Sequence, residues 1–264
     1  MPVFVDQLNR SISVTTEPKR IISLVPSQTE LLFHLGLDKE VIGITKFCIH
    51  PEDWFRTKER IGGTKQLNID KIKSLKPDLI IANKEENVQV QIELLANEFP
   101  VWISDVNNLG DALTMIESVG EMVNKSEQAQ KIKNEIQHHF HELKMSGSKP
   151  KACYLIWREP YMTVGGDTFI SNMLEYAGFE NMFSNKERYP EVTIDELKSI
   201  DCEWLLLSSE PFPFVQKHIE ELQPLLPNTK IVLVDGEYFS WYGSRLINAP
   251  DYFMQLRQQI PLNV

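Results

Sequence analysis

Short apolar runs that alternate with helical segments constrain the fold of this chain more than any other feature. A short, mostly β-branched apolar run, as in a buried parallel strand, is formed by Ile21, Ile22, Leu24 and Val25, and Pro26 ends it. Leucines then recur on one helical face up to Gly36, with Ser27 as the expected N-cap and Glu30 at the spacing of a capping box. The sequence therefore predicts a strand, a tight loop and a helix.

The same alternation continues through both halves of the chain. Further elements are predicted as strands within 40–45, 76–82, 100–105 and 152–157, and as helices at 69–75 and 88–98. This order favours a parallel sheet with helices on both faces. Residues 111–145 instead predict two helices, the second a long one at 126–145, before the turn-rich segment 146–151.

Two segments in different halves of the chain resemble each other. Residues 68–82 (NIDKIKSLKPDLIIA) and 193–207 (TIDELKSIDCEWLLL) share Ile, Asp, Lys and Ser at matched positions, and both predict a short helix leading into an apolar strand. Chance similarity is the alternative. We favour an α/β fold of two lobes, each a mostly parallel sheet flanked by helices. The expected domains are lobes 1–125 and 147–264, joined by one long helix at 126–146.

Composition and charge exclude several classes of function. The chain has 27 Lys and Arg against 37 Asp and Glu, a net charge of -10, so we expect no nucleic-acid partner. Its three cysteines, Cys48, Cys153 and Cys202, allow at most one disulfide bridge. No apolar run reaches the ~18 residues of a membrane span, and we expect a chain that is not membrane-spanning. With no secretion signal at its start, the sequence as written predicts a cytoplasmic protein, or a periplasmic one if an export signal has been removed.

The segment 45–51 (TKFCIHP) directly follows a predicted strand, where open α/β folds bind ligands. Cys48 and His50 carry a thiol and an imidazole, both competent metal ligands. Two ligands do not complete a structural zinc site, and a buried cysteine beside a loop histidine is the alternative. A catalytic Cys48–His50 pair is disfavoured because partners two residues apart rarely reach each other in the required geometry.

Loops after strands of the second half add further candidates. Arg158 is either a ligand-facing cation or half of a surface salt bridge. Phe239, Trp241 and Tyr242 suit a flat, partly apolar ligand, with core packing as the alternative. Glu210 lies in a proline-rich loop after another strand and is a candidate for ligand contact.

Two motifs are weaker than they first look. Gly165 and Gly166 lack both the GxGxxG spacing and a Walker lysine, so we expect a turn before a helix capped by Asp167 or Thr168, not a phosphate site. The histidine-rich run 138–141 lies on the long predicted helix with no acidic or cysteine partner at a suitable offset. We expect a solvated helix face there.

The ordered segments RIISLVPSQTELLFHLGL, VIGIT, NIDKIKSLKPDLIIA and GGDTFISNMLEYAG resemble the substrate-binding proteins of ABC importers for cobalamin, haem and iron siderophores. The resemblance spans about residues 19–261 and is to the subgroup called helical-backbone metal receptors. It implies two α/β lobes bridged by a single rigid helix, with ligand bound in the cleft between the lobes. TKFCIHP and the following RIGGTK differ from the usual cleft loop of the cobalamin importer.

The resemblance also implies that an acidic residue on each lobe docks against arginines of a membrane permease. Asp70 and Asp195, the matched aspartates of the internal repeat, fall at the corresponding positions. Aspartates at these positions also stabilise a helix N-terminus electrostatically, and both roles can hold at once.

We therefore expect a binding protein, not an enzyme, that captures a metal chelate for ABC-type import. Cobalamin or a related corrinoid is the first choice of ligand, and an iron siderophore or haem the second. An intracellular metal-dependent enzyme or cofactor carrier, or an interaction protein without a ligand, is the alternative. We expect no intrinsic cofactor, an ABC permease and its ATPase as partners, and a monomer. The expected ligand-binding residues are Ser27, Lys46, Phe47, Cys48, Trp157, Arg158, Glu210, Trp241 and Tyr242, with Cys48 or His50 in contact with the metal.

Overall fold

The computed structural model describes residues 1–145 and 147–258, and the chain divides into two compact units. The first unit consists of residues 1–106, 110–137 and 242–245. The second consists of residues 107–109 and 138–241 together with the chain from 246 onward. The predicted domain limits 1–125, 126–146 and 147–264 stay a prediction. Each unit also includes short segments from the other half of the chain, and no local sequence pattern predicts these.

A five-stranded parallel sheet forms the centre of the first unit. It is preceded by a small antiparallel hairpin, β1 (Val3–Val5) and β2 (Ser11–Ser13), whose strands are too short to predict from alternation. The strands of the sheet are β3 (Ile21–Ser23), β4 (Val41–Ile44), β5 (Glu59–Arg60), β6 (Leu79–Asn83) and β7 (Val101–Ser104). Their order is β5-β4-β3-β6-β7, and every residue of β6 and β7 is buried, as in a parallel strand covered on both faces.

Five helices accompany this sheet: α1 (Pro26–His34), α2 (Glu52–Thr57), α3 (Ile69–Leu75), α4 (Gln89–Ala96) and α5 (Leu109–Met122). All but α2 were predicted from periodicity. Helix α1 corrects the expected start, because Val25 is its N-cap and Pro26 occupies the first helical position. Ser27 is therefore a buried residue of the first turn. Its predicted capping box with Glu30 is wrong.

The predicted long helix is α6 (Ser126–Glu142), which ends three residues before the expected Met145. Its buried face contains Ala129, Ile132, Ile136 and Phe140, as the apolar periodicity predicted. Residues 126–137 belong to the first unit and 138–142 to the second, so this helix joins the two. Ser146, the end of the predicted connecting segment, lies outside the described residues.

The second unit is built around a four-stranded parallel sheet. Its strands are β8 (Lys151–Leu155), β9 (Glu180–Asn181), β10 (Trp204–Ser208) and β11 (Lys230–Val234), in the order β11-β10-β8-β9. Its helices are α7 (Phe169–Tyr176), α8 (Ile194–Ser199), α9 (Gln216–Leu222), α10 (Glu237–Ser240) and α11 (Ala249–Gln258). No helix in the described part of the chain is both long and apolar enough to cross a membrane.

Both segments of the internal repeat form the predicted helix and strand. In the first unit α3 leads into β6, and in the second α8 leads into β10. Both helices are capped in the same way: the Asn68 side chain accepts from the N–H of Lys71 at 3.0 Å, and the Thr193 hydroxyl accepts from Glu196 at 3.2 Å. The expected α/β fold with two parallel sheets is confirmed.

Candidate functional site

The strand order reverses at one point in each sheet. In the first unit the chain runs outward from β3 through β4 to β5, then adds β6 and β7 on the other side of β3. In the second unit the same reversal separates β8 from β10. Loops diverge at the carboxyl ends of strands at such a point and leave a crevice where open α/β sheets bind ligands. The loops after β3 and β6 in the first unit, and those after β8 and β10 in the second unit, are therefore the candidate ligand-binding loops of each unit.

A buried asparagine, Asn87, ties together the loops at the reversal in the first unit. Its Nδ2 donates to the carbonyl oxygen of Thr64 at 3.1 Å and to that of Leu24, just after β3, at 3.5 Å. Its Oδ1 accepts from the backbone N–H of Asn83, the last residue of β6, at 2.9 Å. Because Asn87 is buried, these bonds are shielded from water. The network holds three loops in one arrangement.

Asn83 shapes the turn that follows β6. Its Oδ1 accepts from the N–H groups of Glu85 at 2.8 Å and Glu86 at 3.0 Å, and its Nδ2 donates to the Ser104 hydroxyl at 3.0 Å. The Nε2 of Gln28 donates to the same hydroxyl at 2.6 Å. Our sequence analysis missed this network. The two asparagines that flank KEE after an apolar strand are the signal, since Asn side chains typically close such turns.

The same turn carries Glu86, whose carboxyl group has a raised pKa. The surrounding protein raises the pKa of Glu86 by desolvation, although its side chain keeps contact with solvent, and the charge of Lys65 opposes this shift. The Lys65 ammonium group also donates to the backbone carbonyl of Glu85. A basic side chain thus lies beside the acidic turn.

Lys46 and Phe47 follow β4, beside the reversal. Phe47 is 51% exposed, and the Lys46 ammonium lies 5.0 Å from the centre of its ring. The loop is packed against Gly63, where a Cβ atom would lie only 3.1 Å from Phe47 Cε2 and 3.2 Å from Lys46 Cε. The pair presents an aromatic face and a cation at the carboxyl end of the sheet.

Cys48 is buried within this loop, and the geometry does not support its expected contact with a metal. Its sulfur lies 3.1 Å from the hydroxyl groups of both Thr29 and Thr45. Burial raises the pKa of the thiol, so the thiolate form that binds metals is disfavoured. The alternative we kept open, a buried cysteine without a ligand role, describes this environment.

His50, at the end of the same loop, is half-buried, and its contact with a metal stays a prediction. Within residues 1–145 and 147–258, no group of three or more His, Cys, Asp or Glu side chains is placed to hold a metal ion. In the histidine-rich run of α6, His138 is exposed beside Glu142, and His139 Nδ1 lies 2.7 Å from the carbonyl oxygen of Ile247. His138 and His141 are exposed on the helix surface, as expected, whereas Phe140 is buried. The expected absence of an acidic partner was wrong, because Glu142 lies one turn after His138.

Ser27 lies in the first turn of α1, next to the loop after β3. It is buried, and its hydroxyl group has no hydrogen-bond partner among the described residues. Gly243 packs directly on this turn, since a Cβ atom there would lie 2.6 Å from the Ser27 carbonyl oxygen. The expected ligand contact of Ser27 would require this covering segment to shift.

An aromatic pair spans the reversal in the second unit. Trp157 follows β8 and is 41% exposed, and its ring packs edge-to-face on that of Phe212 with the centroids 5.9 Å apart. Phe212 lies in the loop after β10, and its N–H donates to the carbonyl oxygen of Ile156 at 3.2 Å. The two loops are therefore joined through both backbone and side chains.

The neighbouring Arg158 forms an ion pair. Its Nη2 lies 2.9 Å from Glu221 Oε2, and its Nε lies 3.6 Å from Glu159 Oε1. This is the salt bridge that we kept as the alternative, and exposed pairs of this kind contribute little to stability. Arg158 would have to exchange these partners to contact a ligand.

Glu210 accepts hydrogen bonds within the protein, and the aromatic residues after β11 are buried. The Oε1 of Glu210 accepts from the indole N–H of Trp241 at 2.9 Å and from the hydroxyl of Ser240. Trp241 and Tyr242 are buried, and Phe239 is fully so. The environment of these side chains is that of the core-packing alternative, and their rings offer no open face in this structure.

Gly165 and Gly166, in the second unit, allow a close approach of two backbone segments. A Cβ atom on Gly165 would lie 2.4 Å from the carbonyl oxygen of Lys186, and one on Gly166 would lie 2.1 Å from that of Ser184. Thr168 then caps α7 by accepting from the N–H of Ser171 at 3.2 Å. The motif closes a turn and starts a helix, as expected.

A known family accounts for this arrangement of strands, reversals and loops. The family model for the periplasmic binding protein matches residues 21–229, most of the chain. The chain belongs to the periplasmic binding protein family. It is a family of substrate-binding transport proteins.

Three proteins show what this chain is similar to. The vitamin B12-binding protein of Pectobacterium carotovorum subsp. carotovorum is 26% identical over 239 residues, which cover 88% of this chain and 86% of that protein. The vitamin B12 binding protein BtuF of Vibrio cholerae has a TM-score of 0.70 at 20% identity, covering 92% of this chain and 99% of that one. The haem binding protein HutB of Vibrio cholerae has a TM-score of 0.77 at 18% identity, with the same coverage. At these identities the structural likeness shows the fold alone.

The two aspartates of the internal repeat are both exposed. Asp70 is the second residue of α3, and Asp195 is the second residue of α8. The Asp195 side chain is 93% exposed and lies 3.3 Å from the ammonium of Lys198. Each carboxylate stabilises its helix N-terminus and is open to contact by a partner.

Proposed function

We propose that this chain captures a metal chelate for an ABC-type importer, and that the chelate is cobalamin or a related corrinoid. Its family supports the binding role. The choice of ligand is supported by two similar proteins, from Pectobacterium and Vibrio cholerae, that are named for vitamin B12. Haem or an iron siderophore is the second choice, since HutB is named for haem.

One observation carries the proposal: each unit exposes a large aromatic side chain in a loop that follows a strand of its sheet. These are Phe47, after β4, and Trp157, after β8. A corrin ring is broad and has apolar faces, so aromatic side chains suit its plane. Its rim carries amide groups, which suit the charged side chains of Lys46 and Arg158 beside these aromatics. Ordered loops reduce the entropic cost of binding such a ligand.

The surroundings of Cys48 disfavour this residue as an axial ligand of haem iron. Cobalamin carries a ligand on each face of its cobalt and needs no protein atom there, whereas haem iron is held by a His, Cys, Met or Tyr side chain. The Cys48 sulfur is buried against Thr29 and Thr45. His50 is then the remaining candidate of the loop for an axial contact.

Calorimetry with cyanocobalamin, haemin and ferric citrate tests the proposal. We expect heat of binding with cyanocobalamin, and about tenfold weaker binding, or about 1.4 kcal/mol, for Phe47→Ala and for Trp157→Ala. The matched control is Phe33→Ala, since Phe33 is 41% exposed but lies near the far end of α1. No binding of any of the three chelates would overturn the proposal, and tighter binding of haemin would move the ligand to the second choice.

A visible-absorption titration with hydroxocobalamin tests the axial contact separately. Its exchangeable water would be replaced by His50, and the spectral change should be lost in His50→Ala but kept in Cys48→Ala. A change that survives both substitutions removes the axial contact and leaves binding itself intact. Chemical conversion of the chelate by the purified protein would instead favour the enzyme or cofactor carrier.

We also propose that Asp70 and Asp195 dock the loaded protein on its permease. Two exposed carboxylates at equivalent positions of a repeat suit a partner that presents two equivalent basic sites. Both side chains are exposed, so neither contributes to the core of its unit.

A further inference from the structure

His218 of α9 is buried in the second unit among aromatic side chains. It is 3% exposed, and its ring centroid lies 5.4 Å from those of both Phe212 and Phe214. The Phe212 ring packs in turn on Phe214 at 4.8 Å and on Trp157 at 5.9 Å. Trp157, Phe212, Phe214 and His218 are called the aromatic cluster below. The cluster connects α9 to the loops after β8 and β10.

A backbone hydrogen bond determines which form of His218 this structure holds. The N–H of Val215, the N-cap of α9, donates to Nδ1 of His218 at 2.9 Å. A backbone N–H cannot accept, so Nδ1 carries a lone pair and the imidazole is neutral, with its proton on Nε2. His218 is the third residue of α9, where the Glu or Gln of a capping box accepts from the N-cap N–H in the same way. The neutral imidazole therefore fixes the start of α9.

Protonation of Nδ1 is incompatible with this bond. An imidazolium has an N–H on both nitrogens and accepts no hydrogen bond, so the N–H of Val215 would face another N–H. A buried cation also costs free energy unless a negative group pairs with it. The protonated ring is therefore favoured only if the start of α9 moves and admits water or a partner.

The charged groups around His218 offer its ring little compensation. Those on the surrounding elements are Lys217, Glu220 and Glu221 of α9, Arg158 and Glu159 after β8, Glu210 after β10, and Lys230 of β11. Glu221 and Glu159 pair with Arg158, and Glu210 accepts from Trp241. Glu220 is exposed to solvent. These carboxylates are engaged or solvated in the arrangement that holds the neutral ring.

We propose that neutral His218 is a positioning residue for Trp157, and that protonation of its Nδ1 weakens ligand binding at acid pH. The inference rests on the proposed function for the role of Trp157. Loss of the Val215 bond frees the segment 212–215 at the start of α9, and Phe212 transmits the change because its ring packs on Trp157. Imidazole is the side chain whose charge ordinarily changes between about pH 5 and 8. The ligand is held at neutral pH and released more readily on acidification.

Proton–nitrogen NMR of the ligand-free protein tests the positioning role without any ligand. Between about pH 7.5 and about pH 5, the Val215 amide and the Trp157 indole N–H resonances should shift together with the imidazole resonances of His218. His218→Gln keeps an acceptor at the capping-box position but does not titrate, so both resonances should stay constant in that variant. Resonances that stay constant in the wild type, or that shift equally in His218→Gln, would overturn the proposal.

Calorimetry with cyanocobalamin at the same two pH values tests the effect on binding. Wild-type affinity should fall about tenfold at the lower pH, whereas His218→Gln should bind equally well at both. His218→Leu fills the space but lacks an acceptor, and it should bind about tenfold more weakly at both pH values. An equal loss in the wild type and His218→Gln would contradict the proposal.

The two measurements separate this inference from the proposed function. If cyanocobalamin binds at neither pH, the proposed function fails, while the titration of the Val215 amide still decides whether His218 positions Trp157. If His218→Leu does not fold, the wild type and His218→Gln still give the comparison.

Discussion

The Asn87 side-chain amide donates a hydrogen bond to the Thr64 carbonyl oxygen at 3.1 Å, and this bond joins two loops at the carboxyl end of the first sheet. Both residues lie outside helices and strands, so the regular backbone hydrogen bonds of those elements do not fix the two loops. The same amide group reaches Leu24 and Asn83, so one side chain sets the relative positions of the loops after β3 and β6.

Replacement of Asn87 by Ala should therefore lower both stability and ligand affinity. Loss of its buried hydrogen bonds should cost about 2–4 kcal/mol in the free energy of unfolding, measured by urea denaturation. Affinity for cyanocobalamin should fall about tenfold in calorimetry, because the loops would have to be ordered on binding. Asn97→Ala, on the exposed end of α4, is the control. Equal losses for the two variants would contradict this role.

The ion pair of Glu30 and Arg245 should be a major stabilising contact of the first unit. The guanidinium contacts both carboxylate oxygens, at 2.6 and 3.1 Å, and both side chains are largely buried. Arg245→Ala leaves a buried carboxylate uncompensated and should cost about 3 kcal/mol in urea denaturation. Arg56→Ala breaks an exposed pair with Glu52 and should change stability by at most about 0.5 kcal/mol. A similar small effect for Arg245 would contradict the prediction.

Gly166→Ala should destabilise the second unit by steric contact alone. A new Cβ atom would lie 2.1 Å from the backbone carbonyl oxygen of Ser184, so the backbone must move, at about 2 kcal/mol or more. Gly36→Ala separates this effect from backbone strain, because Gly36 has φ 81° and open space around it. It should cost about 1 kcal/mol. Thermal unfolding of both variants gives the comparison, and a smaller loss at Gly166 would refute the steric argument.

Cys48 should make the protein less stable as the pH rises above about 8.5. Burial raises the pKa of its thiol in the folded state, whereas the unfolded chain ionises near the ordinary value of about 8.5. Above that pH the unfolded state binds fewer protons, so the free energy of unfolding falls with pH until the folded pKa is reached. Cys48→Ala should make that decline shallower in urea titrations above about pH 9. Parallel declines in the two proteins would exclude this cause.

Asp70→Arg and Asp195→Arg should abolish transport without affecting ligand binding. Reversal of charge would repel a basic docking site, whereas exposed positions leave the ligand loops intact. Uptake of chelate into vesicles that contain the permease and its ATPase gives the measurement, beside calorimetry on the free protein. Asp251→Arg, exposed in the first turn of α11, is the control. Normal uptake by the double variant would rule out these docking sites.

Local patterns were sufficient to predict most elements that position the site. Residues 69–75 form α3 as predicted, since an N-cap and apolar periodicity act within a few residues. The N-cap of α1 was assigned wrongly to Ser27. Pro26 occupies the first helical position, so the helix begins there and Val25 is the N-cap. The hairpin of β1 and β2 was missed because strands of three residues carry almost no alternation.

The sequence by itself determined the α/β class, the repeat of helix and strand, and the loops in which ligand contacts belong, because apolar periodicity and helix caps are read over short distances. Only the tertiary structure decided which loops meet. The order of strands places β6 beside β3 and β10 beside β8, and that order brings Asn87 to Leu24 and Phe212 to Trp157. Tertiary packing also buries Cys48 and Trp241. Packing between residues far apart in the chain determines these contacts, and no local pattern encodes them.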